Sequence, residues 1–140
     1  MKTTVVLSLV FFSNFISAQS GVEAIQQTLI NYINGSSYND SDLIQSAFYE
    51  EAPLFLSKKG QEIWVLSPKE YAAPFENREK GQFNGRQGRI LTIDLANNIA
   101  SAKAEIKIPS KELLYIDIFL LKKLSGEWKI ISKAATQIVN

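Results

Sequence analysis

A chain of 140 residues, 46% hydrophobic and 21% charged, suits one packed domain. Its 15 basic and 14 acidic side chains leave it near neutral, and no run of either sign offers nucleic acid a hold. It has no cysteine and no histidine, which excludes disulfides, thiolate chemistry and the commonest general base and metal ligand, and leaves Asp, Glu, Lys, Tyr and Ser to carry any function.

The first eighteen residues read as a signal peptide. Lys2 supplies the positive start, and Val5 to Ile16 is apolar except for Ser8, Ser13 and Asn14. Ala18 places a small residue before Gln19, and the apolar run is short for a membrane span. The expected product is a domain of residues 19–140, secreted or periplasmic and free of the membrane after cleavage.

Helices come first. Val22, Ile25, Leu29 and Ile33 recur at helical spacing, with Gly35 as the expected stop. Asp40 or Ser41 can cap a second helix that buries Leu43, Ile44, Ala47 and Phe48. Residues 54–57 and 62–66 predict a short hairpin around Lys58-Lys59-Gly60. Ser67, Pro68 and Glu70 form a capping box that opens a third helix, which runs to about Phe75. Residues 76–88, with three glycines among charges, read as a flexible loop.

Four strands follow, at about 89–95, 100–108, 113–123 and 128–136. Asn97-Asn98 and Ser125-Gly126 suit two-residue turns, and Pro109 to Glu112 suits a four-residue loop. These turns pair Ala96 with Ile99, Ile108 with Leu113, and Leu124 with Glu127. Strict alternation from those pairs gives a mostly apolar inner face. It carries Arg89, Leu91, Ala104, Tyr115, Asp117, Phe119, Trp128, Ser132 and Ala134. The outer face receives Ile90 and Lys133, together with an aliphatic stripe of Leu114, Ile116, Ile118, Leu120 and Ile131.

Asp117 is the most informative residue in this register. It falls opposite Ala104 and Ala134, between Tyr115 and Phe119, where space is left. A carboxylate isolated in such surroundings holds its proton more tightly than one in water and can act as a base or a hydrogen-bond donor. A structural Asp bonded to helix-end amides or to Arg89 fits the same position. Tyr32, Phe48, Trp64 and Tyr71 are candidates for the lining, and Arg89, Tyr115, Phe119 and Ser132 complete the set of candidate ligand-binding residues. Lys133 is expected on the outer face, away from Asp117 unless a bulge shifts its strand.

Two segments carry a family resemblance. They are Tyr32-Ile33-Asn34-Gly35 with Asp40, Ala47-Phe48 and Ala52, and Tyr115-Ile116-Asp117 with Leu120-Leu121-Lys122, Gly126 to Ile131 and Lys133. With the element order, they resemble the nuclear transport factor 2-like superfamily, and within it the SnoaL-like, lumazine-binding family. The resemblance implies an α+β fold in which a cone-like curved antiparallel sheet packs against N-terminal helices. It also implies a cavity for a small apolar or aromatic ligand, and a homodimer through the outer sheet face. Relatives that isomerise ketosteroids use an inner-face Asp as base. Tyr49 stands where members often carry a histidine.

Three functions follow as expectations. The first is an exported small-molecule-binding domain. The second is a cavity enzyme of the isomerase or dehydratase type, with Asp117 as base and Tyr32 or Tyr115 as electrophile. The third is a non-catalytic dimeric interaction module. No metal or cofactor is implied by any of them.

Overall fold

The computed structural model describes residues 7–139, with side chains from residue 18 onward. The start of the expected signal segment, residues 1–6, lies outside the described residues.

Helix α1 (Leu7–Ser37) is the longest element. It packs through Ile25, Leu29, Tyr32 and Ile33, all buried. Gly35 does not stop it. A Cβ at residue 35 would lie 2.8 Å from both the backbone nitrogen and a side-chain carbon of Ile44, so this glycine lets α2 (Ser41–Ala47) cross closely. Asp40 caps α2 by accepting a hydrogen bond from the Leu43 N–H. Strands β1 (Leu54–Lys58) and β2 (Gln61–Leu66) form the expected hairpin. Helix α3 (Pro68–Glu76) opens on the predicted capping box, with Ser67 and Glu70 exchanging bonds. The long strands are β3 (Gln87–Ala96), β4 (Ile99–Ile108), β5 (Leu113–Leu124) and β6 (Glu127–Gln137).

All six strands form one sheet in the order β2-β1-β6-β5-β4-β3. Strands β3 to β6 are an antiparallel meander, and all three predicted turn pairs are present. At the β5–β6 turn Ser125 (φ 49°) and Gly126 (φ 85°) both adopt positive φ, as a tight two-residue hairpin requires. Strand β1 joins β6 in parallel, with Leu54 beside Lys133 and Phe55 beside Ala134, so the sheet is mixed and not wholly antiparallel.

The cone-like curvature implied by the resemblance is not formed. The sheet is open, with β2 at one edge and β3 at the other and no pairing between them. The helices make closure unnecessary, because they cover the apolar face themselves. The stripe of α1 lies over β3 and β6, where Gly88 approaches so closely that a Cβ there would meet Ile33 at 2.5 Å. The resulting core joins Ile25, Leu29, Ile44 and Leu54 with Ala102, Ala104, Ile106, Phe119, Leu121 and Ile130.

Two bulges change which side chains face that core. In β3, Ile90 pairs with Ala104 and Thr92 with Lys103, so Leu91 is the extra residue. In β6, Leu121 pairs with Ile130 and Leu120 with Ser132, so Ile131 is extra. Each insertion reverses alternation on one side of itself. Arg89 therefore faces outward, where it pairs with Glu105, and Ile90 turns to the core. Ser132 faces outward opposite Leu120, and Lys133 turns inward opposite Phe119. Asp117 keeps its inner position but faces Ala104 and Ala135, not Ala134.

Candidate functional site

The inner face holds a charged cluster where apolar packing alone would suffice. Asp117 and Lys133 are both buried, and Lys133 Nζ lies 3.0 Å from Asp117 Oδ2. A buried ion pair needs further polar partners to offset lost hydration. Tyr32 supplies one, since its hydroxyl donates to the same Oδ2 at 2.7 Å and accepts from Lys133 Nζ at 3.1 Å. The Tyr71 hydroxyl, from α3, lies 3.1 Å from that of Tyr32. Arg86 Nη2 donates to both hydroxyls at 3.1 Å, and Arg86 Nε donates to Ser36 Oγ at 3.1 Å.

Five elements build this cluster. Helix α1 brings Tyr32 and Ser36, α3 brings Tyr71, β5 brings Asp117 and β6 brings Lys133 through the Ile131 bulge. Arg86 arrives from the loop between α3 and β3. That loop is pinned along its length. Asn39 Nδ2 donates to the carbonyls of Glu79 and Gln82, and Asn84 Nδ2 donates to the Ser36 carbonyl and to Asn39 Oδ1. Asn84 Oδ1 then accepts from the Arg86 N–H, which sets the direction in which Arg86 leaves the loop.

The surrounding wall is aromatic. Tyr32 stands edge-on to Phe48 at 5.7 Å and to Phe119 at 5.5 Å, between ring centroids. The Lys133 ammonium lies 5.3 Å from the Tyr32 ring centre and 5.0 Å from that of Tyr71. Tyr71 continues to Phe75 at 6.0 Å. Tyr32, Asp117 and Lys133 are closed off from solvent, while Tyr71 and Arg86 are half-buried, so the cluster runs from a sealed interior to a partly open rim.

The electrostatics follow from this arrangement. Burial, then the Asp117 charge and the neighbouring Tyr71, push the Tyr32 hydroxyl well above the ordinary tyrosine range, against the opposing Arg86 charge. Tyr32 is therefore a neutral phenol. Burial works against the Arg86 charge, but Tyr71, Tyr32 and Asp117 outweigh it and hold the guanidinium more firmly protonated than in water.

Of the predicted site residues, Tyr32, Phe48, Tyr71, Asp117 and Phe119 come together here. Tyr115 lies on the same face, half-buried opposite Ile106 and Gln137. Trp64 sits on β2 with the Lys58 ammonium 4.4 Å from its ring, apart from the polar cluster. Arg89 and Ser132 point to the other face, where Ser132 Oγ donates to the Pro53 carbonyl at 3.4 Å. Arg86 and Ser36 are members that sequence reasoning passed over, and Lys133, expected on the outer face unless a bulge shifted its strand, is brought in by the bulge at Ile131. Doublets of adjacent apolar residues, Ile130-Ile131 and Ile90-Leu91, interrupt strands that otherwise alternate and mark both bulges. A separate concavity of about 270 Å³ lies among Asp94, Ile99, Ser101, Leu120 and Ile131, at the outer face and not at this cluster.

The chain is similar to several solved structures of low identity. One from Shewanella baltica OS155, described as an NTF2-like protein of unknown function, is 22% identical with TM-score 0.75, covering 86% of this chain and 96% of the other. Another of that description, from Methylobacillus flagellatus KT, is 24% identical with TM-score 0.71, covering 86% and 94%. A ketosteroid isomerase-like protein from Erwinia carotovora atroseptica SCRI1043 is 15% identical with TM-score 0.61, covering 84% and 96%. No curated protein matches the sequence. A family model described as "Putative lumazine-binding" matches residues 20–134, which takes in every element from the core-facing part of α1 to the inward Lys133 of β6. With that span, the chain belongs to the family so described, and it has the fold of the NTF2-like structures.

Proposed function

We propose that the chain is an exported binding protein for a small molecule, held at the half-buried rim of the inner-face cluster, beside Arg86 and Tyr71. The observation that carries the reading is the cluster itself. A carboxylate, an ammonium, a guanidinium and two phenols meet within one aromatic wall. Well-packed apolar residues of similar volume would generally give equal or greater stability than such a buried pair. Polar groups converging between aromatic walls are the usual make-up of a small-molecule site. Binding accounts for the arrangement better than base catalysis does. Two donors, Lys133 and Tyr32, already converge on the same Asp117 oxygen, which occupies it as an acceptor.

Export is supported by the signal-like residues 1–18 and by a family match that starts at residue 20. Among the described residues no helix is long and apolar enough to cross a membrane. N-terminal sequencing of exported protein should begin at Gln19. Recovery of intact residues 1–18 in a membrane fraction would refute cleavage.

A homodimer through the outer face is supported by exposed apolar side chains there. Ile118 and Leu120 are about half exposed, at 50% and 52%, and the apolar surface continues across Ala134 to Phe55 and Val65.

Native mass spectrometry of the protein from its own host tests the binding reading. A co-purifying mass that disappears in Asp117→Asn while circular dichroism still shows that variant folded supports it, and a bare chain in the wild type argues for a purely structural cluster.

A further inference from the structure

Tyr32 is offered one donor more than its oxygen can accept, and the cluster around it carries more positive than negative charge. Tyr32 Oη has four polar neighbours: Asp117 Oδ2 at 2.7 Å, and Lys133 Nζ, Arg86 Nη2 and the Tyr71 hydroxyl, each at 3.1 Å. A neutral phenol offers one proton and two lone pairs. The proton goes to Asp117, so three potential donors face two lone pairs. That leaves the Tyr71 proton: its oxygen accepts from Arg86 Nη2, and at the half-buried rim its O–H can turn outward. Ionisation of Tyr32 adds no acceptor, because burial and Asp117 hold its proton well above the ordinary tyrosine range.

The charges give the same answer. Asp117 is ion-paired with Lys133, and Arg86 makes no ion pair with any carboxylate among the described residues. The cluster thus holds two cations against one anion. Its surplus charge and surplus donor coincide at Arg86 and Tyr71, the two members that reach the half-buried rim. A guanidinium is a planar fork of donors matched to a carboxylate, and a tyrosine hydroxyl beside it adds a further donor. The rings of Tyr71 and Phe75, 6.0 Å apart, flank the same rim with apolar surface.

We propose that the ligand is an aromatic or apolar carboxylate whose anionic oxygens sit between Arg86 and the Tyr71 hydroxyl. This rests on the binding reading above and names the chemical class that the site selects. The carboxylate supplies the missing acceptor and neutralises the surplus charge. It also frees Tyr71 to donate outward, leaving Lys133 and Arg86 as the two donors to Tyr32. A neutral ligand of the same shape does neither.

Calorimetric titration of the full chain with benzoate and with benzamide tests this, using wild type, Arg86→Gln, Arg86→Lys and Tyr71→Phe. Benzoate is expected to bind about 10-fold or more tightly than benzamide, a difference one charge-assisted hydrogen bond supplies. The preference should vanish in Arg86→Gln, persist in weakened form in Arg86→Lys and fall several-fold in Tyr71→Phe. Equal affinity for the two probes, or a preference that survives Arg86→Gln, overturns the carboxylate assignment while leaving the binding reading in place. Failure of both probes to bind folded wild type overturns the carboxylate assignment, while the co-purifying mass decides the binding reading separately. Should circular dichroism show Arg86→Gln unfolded, an undiminished preference in Arg86→Lys and Tyr71→Phe together overturns the assignment.

Discussion

Replacing Asp117 by Asn keeps the shape of the side chain and one carbonyl acceptor, but removes the only carboxylate of the cluster. Lys133, with 2% of its side chain exposed, is then a buried ammonium without a counter-ion, and Arg86 adds a second positive charge nearby. Breaking a buried pair from one side costs about 3–5 kcal/mol. Against a total stability of roughly 5–15 kcal/mol for a domain, that is a large share. The opposite single change, Lys133→Met, should cost less. Asp117 then still accepts from Tyr32 and still feels the Arg86 charge. The double variant Asp117→Asn/Lys133→Met should be more stable than the sum of the singles predicts, with a coupling of about 2 kcal/mol or more. Urea unfolding followed by circular dichroism measures all four corners of this cycle. A loss under about 1 kcal/mol in Asp117→Asn, or strict additivity in the double variant, would refute the inward placement of Lys133.

Other expectations follow from the same geometry. The proton on Tyr32 is held more tightly in the folded chain than in the unfolded one, so its contribution to stability is complete below about pH 10 and fades as pH rises above that. Urea midpoints between pH 9 and 11.5 should therefore fall more steeply in wild type than in Tyr32→Phe, and parallel profiles would exclude this origin. Gly88→Ala should destabilise by about 1–3 kcal/mol through overpacking against Ile33, and Ile33→Val in the same chain should recover part of the loss. Unchanged stability in Gly88→Ala would mean that α1 and β3 are less closely apposed. Ile118→Lys should convert a dimer into a monomer in sedimentation equilibrium, and a wild type already monomeric at high concentration removes the outer-face interface.

Much of this fold is legible in the residues because turn chemistry and capping are local. Ser67, Pro68 and Glu70 announce α3, and Ser125-Gly126 announces the β5–β6 turn, whatever the rest of the chain does. Register propagates faithfully from a turn only until the first inserted residue. The inner assignments hold on both sides of the β4–β5 loop, and they fail in β3 before Leu91 and in β6 after Ile131. The same two insertions expelled Arg89 and Ser132 from the candidate site and admitted Lys133. Arg86 was hidden for a different reason. It lies in a segment rich in glycine and charge that reads as flexible, and its placement depends on Asn39 and Asn84 bonding across forty or more residues of chain. The open sheet is likewise a tertiary outcome. Closure depends on whether β2 and β3 meet, and no local pattern in either strand decides that.

A crystal structure of the protein purified from its own host bears most directly on the inner-face site. Lys133 Nζ is expected against Asp117 on the inner face, with density for a non-protein molecule within hydrogen-bond distance of Arg86 and the Tyr71 hydroxyl. An outward Lys133, or an inner face closed by its own side chains with no such molecule beside Arg86, would contradict this arrangement.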